Sequence, residues 1–293
     1  RFDIESKDFR AFANAYLEQT DRPLNRPPSG PVPAFAYGTG IWWEFLTIRH
    51  GTSFVKELLE GWEPIAEEAE MVDVMVDAIR AKNDTMDSAW VTFSHYNLGS
   101  GFRAGELESY PDAPKFMGIQ AIDENNPLLV TKRFYPMTTS YYLLPHTGGP
   151  LYWAMKTQSN NLLFSLHKAN SRTGPVDLPI DEWASDMPAP FPIQNGETLS
   201  EGYYWLAVMN PTTEGNSVHT LLCLGELRDM ETCLPEASPP PDLNANEPTE
   251  LDASGCAQHP PTHIVFILMG LLLLHQRNLR PPSTIRPSFR PKP

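Results

Sequence analysis

The chain has 293 residues, of which 41% are hydrophobic and 11% aromatic, so it carries enough apolar side chains to form sizeable cores. This composition excludes an intrinsically disordered chain. The formal net charge of −14 repels nucleic-acid phosphates, and the only basic cluster is a proline-rich tail, so we expect no nucleic-acid partner.

The first part of the chain, from Asp3 to about Leu98, has the apolar period of α-helices. The first predicted helix has one apolar stripe, which ends before a group of prolines. The stripe consists of Phe9, Phe12, Ala13, Tyr16 and Leu17, and the prolines are Pro23, Pro27 and Pro28. The second predicted helix runs from about Tyr37 to His50, and Gly51 is placed to adopt the left-handed conformation that ends many helices.

Three further helices are predicted before the pattern changes. A hydroxyl side chain precedes two of them, as is typical of a helix N-cap. In chain order, Thr52 or Ser53 caps a helix that stops near Pro64, another spans roughly Glu67 to Lys82, and Thr85 caps the last, which contains Trp90, Phe93 and Tyr96. Pro111 and Pro114 then mark the end of the helical part.

After about Gly118 the sequence changes to short β-rich runs separated by turn residues. The predicted strands are Leu128–Tyr135, Ser140–Leu144, Leu151–Thr157, Leu162–Lys168, Tyr203–Met209 and Val218–Leu224. Because no helical segments lie between them, they favour an antiparallel β-sandwich over β-α-β units. The fold class is therefore α+β, with an all-helical domain followed by a sandwich.

The C-terminal part divides into a proline-rich linker, an apolar segment and a basic tail. The apolar run from Ile264 to Leu274 is shorter than the ~20 residues that a membrane-spanning helix needs, but the arginines after it suit a tail that stays in the cytoplasm. The predicted divisions are 1–117 (helical domain), 118–233 (β-sandwich), 234–262 (linker), 263–276 (hydrophobic helix acting as anchor or sorting segment) and 277–293 (tail). We expect the body to be extracytoplasmic, at the cell surface or outer envelope, with the membrane as partner of the apolar segment.

The three cysteines give no metal-binding spacing. Cys223 and Cys233 are ten residues apart and are either a disulfide pair in an oxidising compartment or two thiols. Cys256 stands alone beside the apolar segment.

No catalytic motif is present in the sequence. The chain lacks His-Glu-x-x-His and Gly-x-Ser-x-Gly, and its acidic run between Glu57 and Asp73 is typical of a solvated helix face. Tyr96, Asn97 and Arg103, near the end of the last predicted helix, form a polar corner that is either structural or a ligand site, and the structural role is favoured.

Two resemblances extend this interpretation. Ser254-Gly255-Cys256, followed by a short apolar segment and arginines, resembles the C-terminal sorting tails of myxobacterial surface proteins, in which the cysteine adjoins the anchor. This resemblance implies that Cys256 is the anchor or sorting residue.

A second resemblance covers most of Phe9 to Leu224. Two stretches of motifs carry it. The first is Tyr37-Gly38-x-x-x-Trp42-x-x-Phe45-Leu46-x-x-x-x-Gly51, followed by Phe54-Val55 and Trp62-Glu63, and the second is Phe93-x-x-Tyr96-Asn97-x-x-x-Gly101-x-Arg103 with Tyr110-Pro111. In this order they resemble the region downstream of the zinc motif in secreted metalloproteases of myxobacteria. The resemblance implies a gluzincin-like zinc peptidase acting on protein or peptide. Its catalytic residues and zinc ligands would lie N-terminal to Arg1, so the chain itself would hold no cofactor.

The competing hypothesis is a non-catalytic surface module whose sandwich binds glycan or protein through aromatic side chains. Its candidates are Tyr141, Tyr142, Tyr152, Trp153, Tyr203, Tyr204 and Trp205. Adjacent strand residues point to opposite faces, so at most one of each pair is available for binding. An exposed row of rings would favour this hypothesis, whereas an exposed apolar face on the helices, which we expect, would favour a peptidase fragment.

Overall fold

The computed structural model describes residues 7–25, 34–66, 69–124, 126–156, 161–215 and 217–233. Six α-helices occur in these residues, all before residue 99. They are α1 (Lys7–Leu17), α2 (Ala34–Gly38), α3 (Gly40–His50), α4 (Phe54–Trp62), α5 (Met71–Ala81) and α6 (Met86–Leu98). The prediction of a helical N-terminal part is confirmed.

The helices differ from the prediction in their limits and caps. α5 begins at Met71, not near Glu67, and the Ser53 side chain makes no cap hydrogen bond to α4. The helix predicted from Tyr37 to His50 is split at Thr39, whose hydroxyl donates to the Ala36 carbonyl. Gly51 has the expected positive φ of 100°, but its ψ of 161° is extended, so the prediction of a left-handed helical conformation was wrong. The Thr85 cap is confirmed, since its side-chain oxygen accepts from the Ser88 N–H at 3.1 Å.

Nine strands follow in the described residues. They are β1 (Ile122–Asp123), β2 (Leu128–Phe134), β3 (Thr138–His146), β4 (Tyr152–Met155), β5 (Leu163–Ala169), β6 (Val176–Ala184), β7 (Phe191–Pro192), β8 (Gly202–Asn210) and β9 (Val218–Gly225). Sheet A has the strand order β1-β3-β8-β5-β6 and sheet B the order β2-β9-β4-β7. All pairings are antiparallel except that of β1 with β3.

All six predicted strands are present, but β1, β6 and β7 were not predicted. β6 is an edge strand, so its residues need no alternating apolar pattern. It contains Pro179 and three acidic residues, and its pairing with β5 is interrupted by irregularities in register.

The two faces of sheet A are buried against different layers. Leu144, Leu166 and Leu206 on one face pack with side chains of sheet B, such as Leu222 and Leu224, to form the sandwich core. On the opposite face, Tyr141, Trp205, Ala207 and Met209 belong to a core shared with helical residues that include Trp42, Phe45, Trp90 and Phe93. The described chain is therefore a helical layer on a two-sheet sandwich. The boundary between 117 and 118 as a division into separate folding units stays a prediction.

The expected apolar face on the helices is not exposed. Among the described residues of α1 to α6, Tyr37 is the one large apolar side chain more than a third exposed. The apolar faces instead pack on sheet A, so the helical layer already has a partner within this chain.

Helix α6 is also joined to sheet A by polar contacts, here called the α6 seam. Trp90 Nε1 lies 3.1 Å from Thr139 Oγ1, and the Ser94 hydroxyl lies 2.8 Å from the same oxygen. The Tyr141 hydroxyl donates to the Ser94 carbonyl at 2.8 Å. These buried groups therefore fix the position of α6 along the strands, which apolar contacts alone would leave free to slide.

None of the helices in the described residues combines the length and hydrophobicity that a membrane span requires. The predicted linker (234–262), anchor (263–276) and tail (277–293) lie outside those residues.

We predict that Tyr141→Phe lowers the free energy of unfolding by about 1–2 kcal/mol, because it removes a buried hydrogen bond in the α6 seam while keeping the ring. Urea denaturation would measure this loss. Tyr135→Phe is the matched control, because Tyr135 is exposed and should change stability by less than about 0.5 kcal/mol. Equal losses in both variants would contradict a stabilising role for the seam.

Candidate functional site

The predicted polar corner is largely a packing feature. Asn97 is fully buried on α6, and its Oδ1 accepts from the Tyr110 hydroxyl at 2.8 Å. The half-buried Tyr96 places its ring edge-on to Tyr110, with centroids 5.4 Å apart. Tyr96 and Asn97 therefore meet through Tyr110, which sequence reasoning did not include in the corner.

Arg103 lies in the 3₁₀ turn Gly101–Arg103 and is only 5% exposed. Its guanidinium carbon is 4.3 Å from the centroid of the Phe102 ring and 4.4 Å from the Trp205 ring. Nε and Nη1 have no hydrogen-bond partner. Burial lowers the pKa of Arg103 to about 10, so the side chain remains charged at neutral pH.

The surroundings of Arg103 leave little room for a ligand. A Cβ at Gly118, whose φ is +83°, would come within 2.8 Å of Arg103 Nη1 and 2.9 Å of the Ser100 carbonyl oxygen. The guanidinium is thus in close contact with backbone on one edge and lies between two aromatic rings. Its contacts are those of a brace between the turn and sheet A, stabilised by cation–π interactions.

A second polar cluster, which the sequence did not predict, lies where α6 crosses β5 and β6. Ser165 Oγ is 3.3 Å from His95 Nε2 and 3.0 Å from His167 Nε2. The two imidazole centroids are 4.9 Å apart, and Glu182 Oε1 is 3.3 Å from His95 Nε2. We call His95, Ser165, His167 and Glu182 the histidine cluster.

The fold brings these four side chains together from three elements. Ser165 and His167 are two residues apart on β5, so they lie on the same face of sheet A. Glu182 pairs with Ser165 across the β5–β6 ladder, and His95 reaches the cluster from α6. The alternation on β5 was readable in the sequence, but its partners on α6 and β6 are 70 residues before and 17 residues after Ser165.

The hydrogen-bond partners assign the tautomers of the neutral rings. His167 Nδ1 is 3.1 Å from the Asp177 carbonyl oxygen, which can only accept, so Nδ1 carries the proton. His167 Nε2 then accepts from the Ser165 hydroxyl, and the Ser165 oxygen in turn accepts from His95 Nε2–H. The neutral cluster is a directed chain of hydrogen bonds in which every donor faces an acceptor.

Burial sets the protonation of the cluster. It lowers the pKa of His95 to about 3, with a further contribution from His167, and lowers the pKa of His167 to about 4. Burial and the neighbouring Asp181 raise the pKa of Glu182. Both imidazoles are therefore neutral at pH 7.

A serine hydroxyl 3.0 Å from an oriented imidazole is the contact that nucleophilic catalysis uses. Ser165 and His167, however, have no accessible surface, so a substrate carbonyl cannot approach the hydroxyl in this conformation. Among the described residues, no group of three or more His, Cys, Asp or Glu side chains has the geometry to hold a metal ion. The resemblance places its zinc ligands N-terminal to Arg1, so it implies no metal site among these residues.

Cys223 and Cys233 are joined in a disulfide, with Cα atoms 5.9 Å apart. Both are fully buried; Cys223 lies in β9 and Cys233 ends the 3₁₀ helix Leu227–Cys233. Met230 and Ala154 complete a small apolar cluster around them on the outer side of sheet B. Cys256 lies outside the described residues.

No protein-family model matches the chain, and no curated protein matches its sequence significantly. Among solved structures, the chain is similar to the pre-peptidase C-terminal domain of a Bacillus anthracis collagenase, with a TM-score of 0.25, 10% identity, and coverage of 36% of this chain and 94% of that domain. It is also similar to a periplasmic inhibitor of g-type lysozyme from Aeromonas hydrophila, with a TM-score of 0.21, 15% identity, and coverage of 36% and 98%. Similarity at this level supports no conclusion about function.

We predict that Arg103→Met lowers the free energy of unfolding by at most about 1 kcal/mol and can raise it. The apolar side chain of similar length still packs against the rings, and the substitution removes a buried positive charge that forms no ion pair with a carboxylate. Arg103→Ala should lower the free energy of unfolding by about 2–4 kcal/mol through lost packing on Trp205. Thermal and urea denaturation would measure both. Arg133→Ala, on the exposed side of β2, is the control. If Met and Ala are equally destabilising, the charge itself stabilises the fold.

Proposed function

We propose that the chain is a non-catalytic, extracytoplasmic module of a cell-surface protein, held to the envelope through its C-terminal end. The observation that carries this proposal is the buried disulfide between Cys223 and Cys233. Disulfides persist in oxidising compartments outside the cytoplasm and are rare inside it. An acidic body with this bond suits a location beyond the membrane.

The position of the disulfide suits a tethered protein. Cys233 is the last described residue and directly precedes the proline-rich segment predicted as a linker. The bond connects it to β9, which pairs with both β2 and β4 in sheet B. Force on the linker would therefore be transmitted through the disulfide to a central strand of the sandwich, and the 3₁₀ helix Leu227–Cys233 would stay attached.

The described side chains favour a structural or protein-contacting role over catalysis or glycan binding. The Ser165 hydroxyl, which is hydrogen-bonded to an imidazole as a catalytic serine would be, is fully buried and cannot be reached by a substrate in this conformation. Five of the seven aromatic residues considered for glycan binding are at most 1% exposed, namely Tyr141, Tyr142, Trp153, Tyr204 and Trp205. These rings form the two cores, so they do not provide the exposed row that a sugar-binding platform needs.

A second candidate is a companion part of a zinc peptidase, favoured by the order of the motifs from Tyr37 to Tyr110. In the structure, Trp42, Phe45 and Phe93 from these motifs pack together, with ring centroids between 4.9 and 5.4 Å apart. A packing motif of this kind would be kept in a peptidase and in a non-catalytic relative alike. A coding sequence that places His-Glu-x-x-His upstream in the same protein would favour the peptidase.

The proposal is tested on the full chain exported to an oxidising compartment. Thiol labelling and intact mass without reductant should show Cys223 and Cys233 protected as a disulfide and Cys256 reactive. Incubation of the same protein with a mixed peptide library and added zinc should give no cleavage. Labelling of all three cysteines in the exported, folded protein, or zinc-dependent cleavage, would overturn the proposal.

We predict that the double variant Cys223→Ala/Cys233→Ala lowers the free energy of unfolding by about 2–3 kcal/mol, as expected for a short disulfide loop that restricts the unfolded chain. Urea denaturation without reductant would measure the loss. Cys256→Ala is the matched control and should leave stability unchanged. Adding reductant to the wild-type protein should reproduce the loss of the double variant, and failure to do so would contradict the assignment.

A further inference from the structure

The histidine cluster joins the helical layer to sheet A at a single hydroxyl group. His95 belongs to α6, whereas Ser165 and His167 belong to β5. Both Nε2 atoms are within 3.3 Å of Ser165 Oγ, and the ring centroids are 4.9 Å apart. The cluster extends the α6 seam beyond Trp90 and Ser94 towards the edge of the sheet.

The directed chain of hydrogen bonds works only while both rings are neutral. A proton added to His167 Nε2 would turn that atom into a donor facing the Ser165 hydroxyl, which already accepts from His95. The serine proton would then lose its acceptor, and an imidazolium would lie at a site with no accessible surface. Both effects act against the contact between α6 and β5.

We propose that His95, Ser165 and His167 form an acid-sensitive latch that holds α6 on sheet A at neutral pH and releases the helical layer when the rings are protonated. The inference is independent of the proposed function, since it concerns the docking of one layer on another. It does suit a module outside the cytoplasm, where the pH is not buffered by the cell interior.

The charges around the latch do not replace the lost hydrogen bonds. Glu182 on β6 is 48% exposed and lies 3.3 Å from His95 Nε2, so it can form an ion pair with a protonated His95. The polar partners of His167 are instead Ser165 and the Asp177 carbonyl oxygen. β8 presents the uncharged Trp205 and Ala207 opposite His167 and Ser165. The charged side chains next to the cluster along β5 and β6 have other partners, since Lys168 donates to Ser200 and Asp181 accepts from the Gln194 N–H. Arg49 contacts Thr92 of α6 and pairs with Asp84, and Arg103 stacks on Trp205. His167 is therefore the ring whose protonation is least compensated.

The direction of the pH effect follows from linkage. The pKa values of His95, about 3, and His167, about 4, are lower in the folded protein than the ordinary value near 6.5, so the unfolded or undocked state binds protons more strongly. Their contribution to docking is complete above pH ~6.5 and is lost as the pH falls from there towards about 4 for His167 and about 3 for His95. Glu182, whose pKa is raised, has the opposite and smaller influence near its own range.

The helical layer and the sandwich have separate cores, so the latch can release one without disrupting the other. The two sheets are held together by the sandwich core, which contains no residue of α1 to α6 among its buried members, and the disulfide lies on the far side of sheet B. The helical layer depends on the other face of sheet A and on the α6 seam. Loss of the latch thus weakens one layer contact and leaves the sandwich core intact.

Amide hydrogen exchange on the full chain, corrected for intrinsic exchange rates, tests the latch between about pH 7.5 and about pH 5. In the wild-type protein, the protection of α6 amides should fall by up to about 30-fold for each histidine, while β8 amides retain theirs. In His167→Gln, and separately in His95→Gln, the fall at α6 should be smaller by about 10- to 30-fold. His219→Gln, at an exposed position on β9, is the matched control and should behave as the wild type.

Two results would overturn the proposal. One is that α6 amide protection in His95→Gln depends on pH as it does in the wild-type protein. His95 is at the accessible edge of the cluster, so this variant is expected to fold even if His167→Gln does not. The other is a parallel loss of protection in α6 and β8 of the wild-type protein, which would indicate global unfolding instead of release of one layer.

Discussion

The structure depends on the docking of α6 on the outer face of sheet A. That face is not purely apolar, because Thr139, Ser165 and His167 lie on it among the aromatic residues. Buried polar groups stabilise a structure only when they have partners, and α6 supplies these partners through Trp90, Ser94 and His95. The position of one helix is thus determined by hydrogen bonds, and the other helices pack around it through the shared core.

This arrangement explains how the chain uses its aromatic residues. Rings that could have formed a binding surface fill two cores, one on each face of sheet A. The disulfide that connects the end of the described chain to β9, together with the proline-rich segment after it, suits a module displayed on a tether.

The sequence predicted the helical part and six strands because their apolar periods are strong, as in the stripe of α1 and the alternation in β5. It missed β6, since an edge strand with Pro179 and acidic residues needs no apolar period. It selected Asn97 and Arg103 as polar residues next to a helix end, but not Tyr110, which pairs with Asn97. It did not connect His95 with Ser165, which are 70 residues apart.

The sequence by itself determined composition, charge, the order of helices and strands, and the spacing of Cys223 and Cys233, because all of these are local properties of the chain. Only the tertiary structure decided that the helices lie on sheet A, that the two cysteines are bonded, and that two histidines share one serine. These features depend on which faces of distant elements meet. Apolar periodicity shows that a face is buried, but it does not show against what.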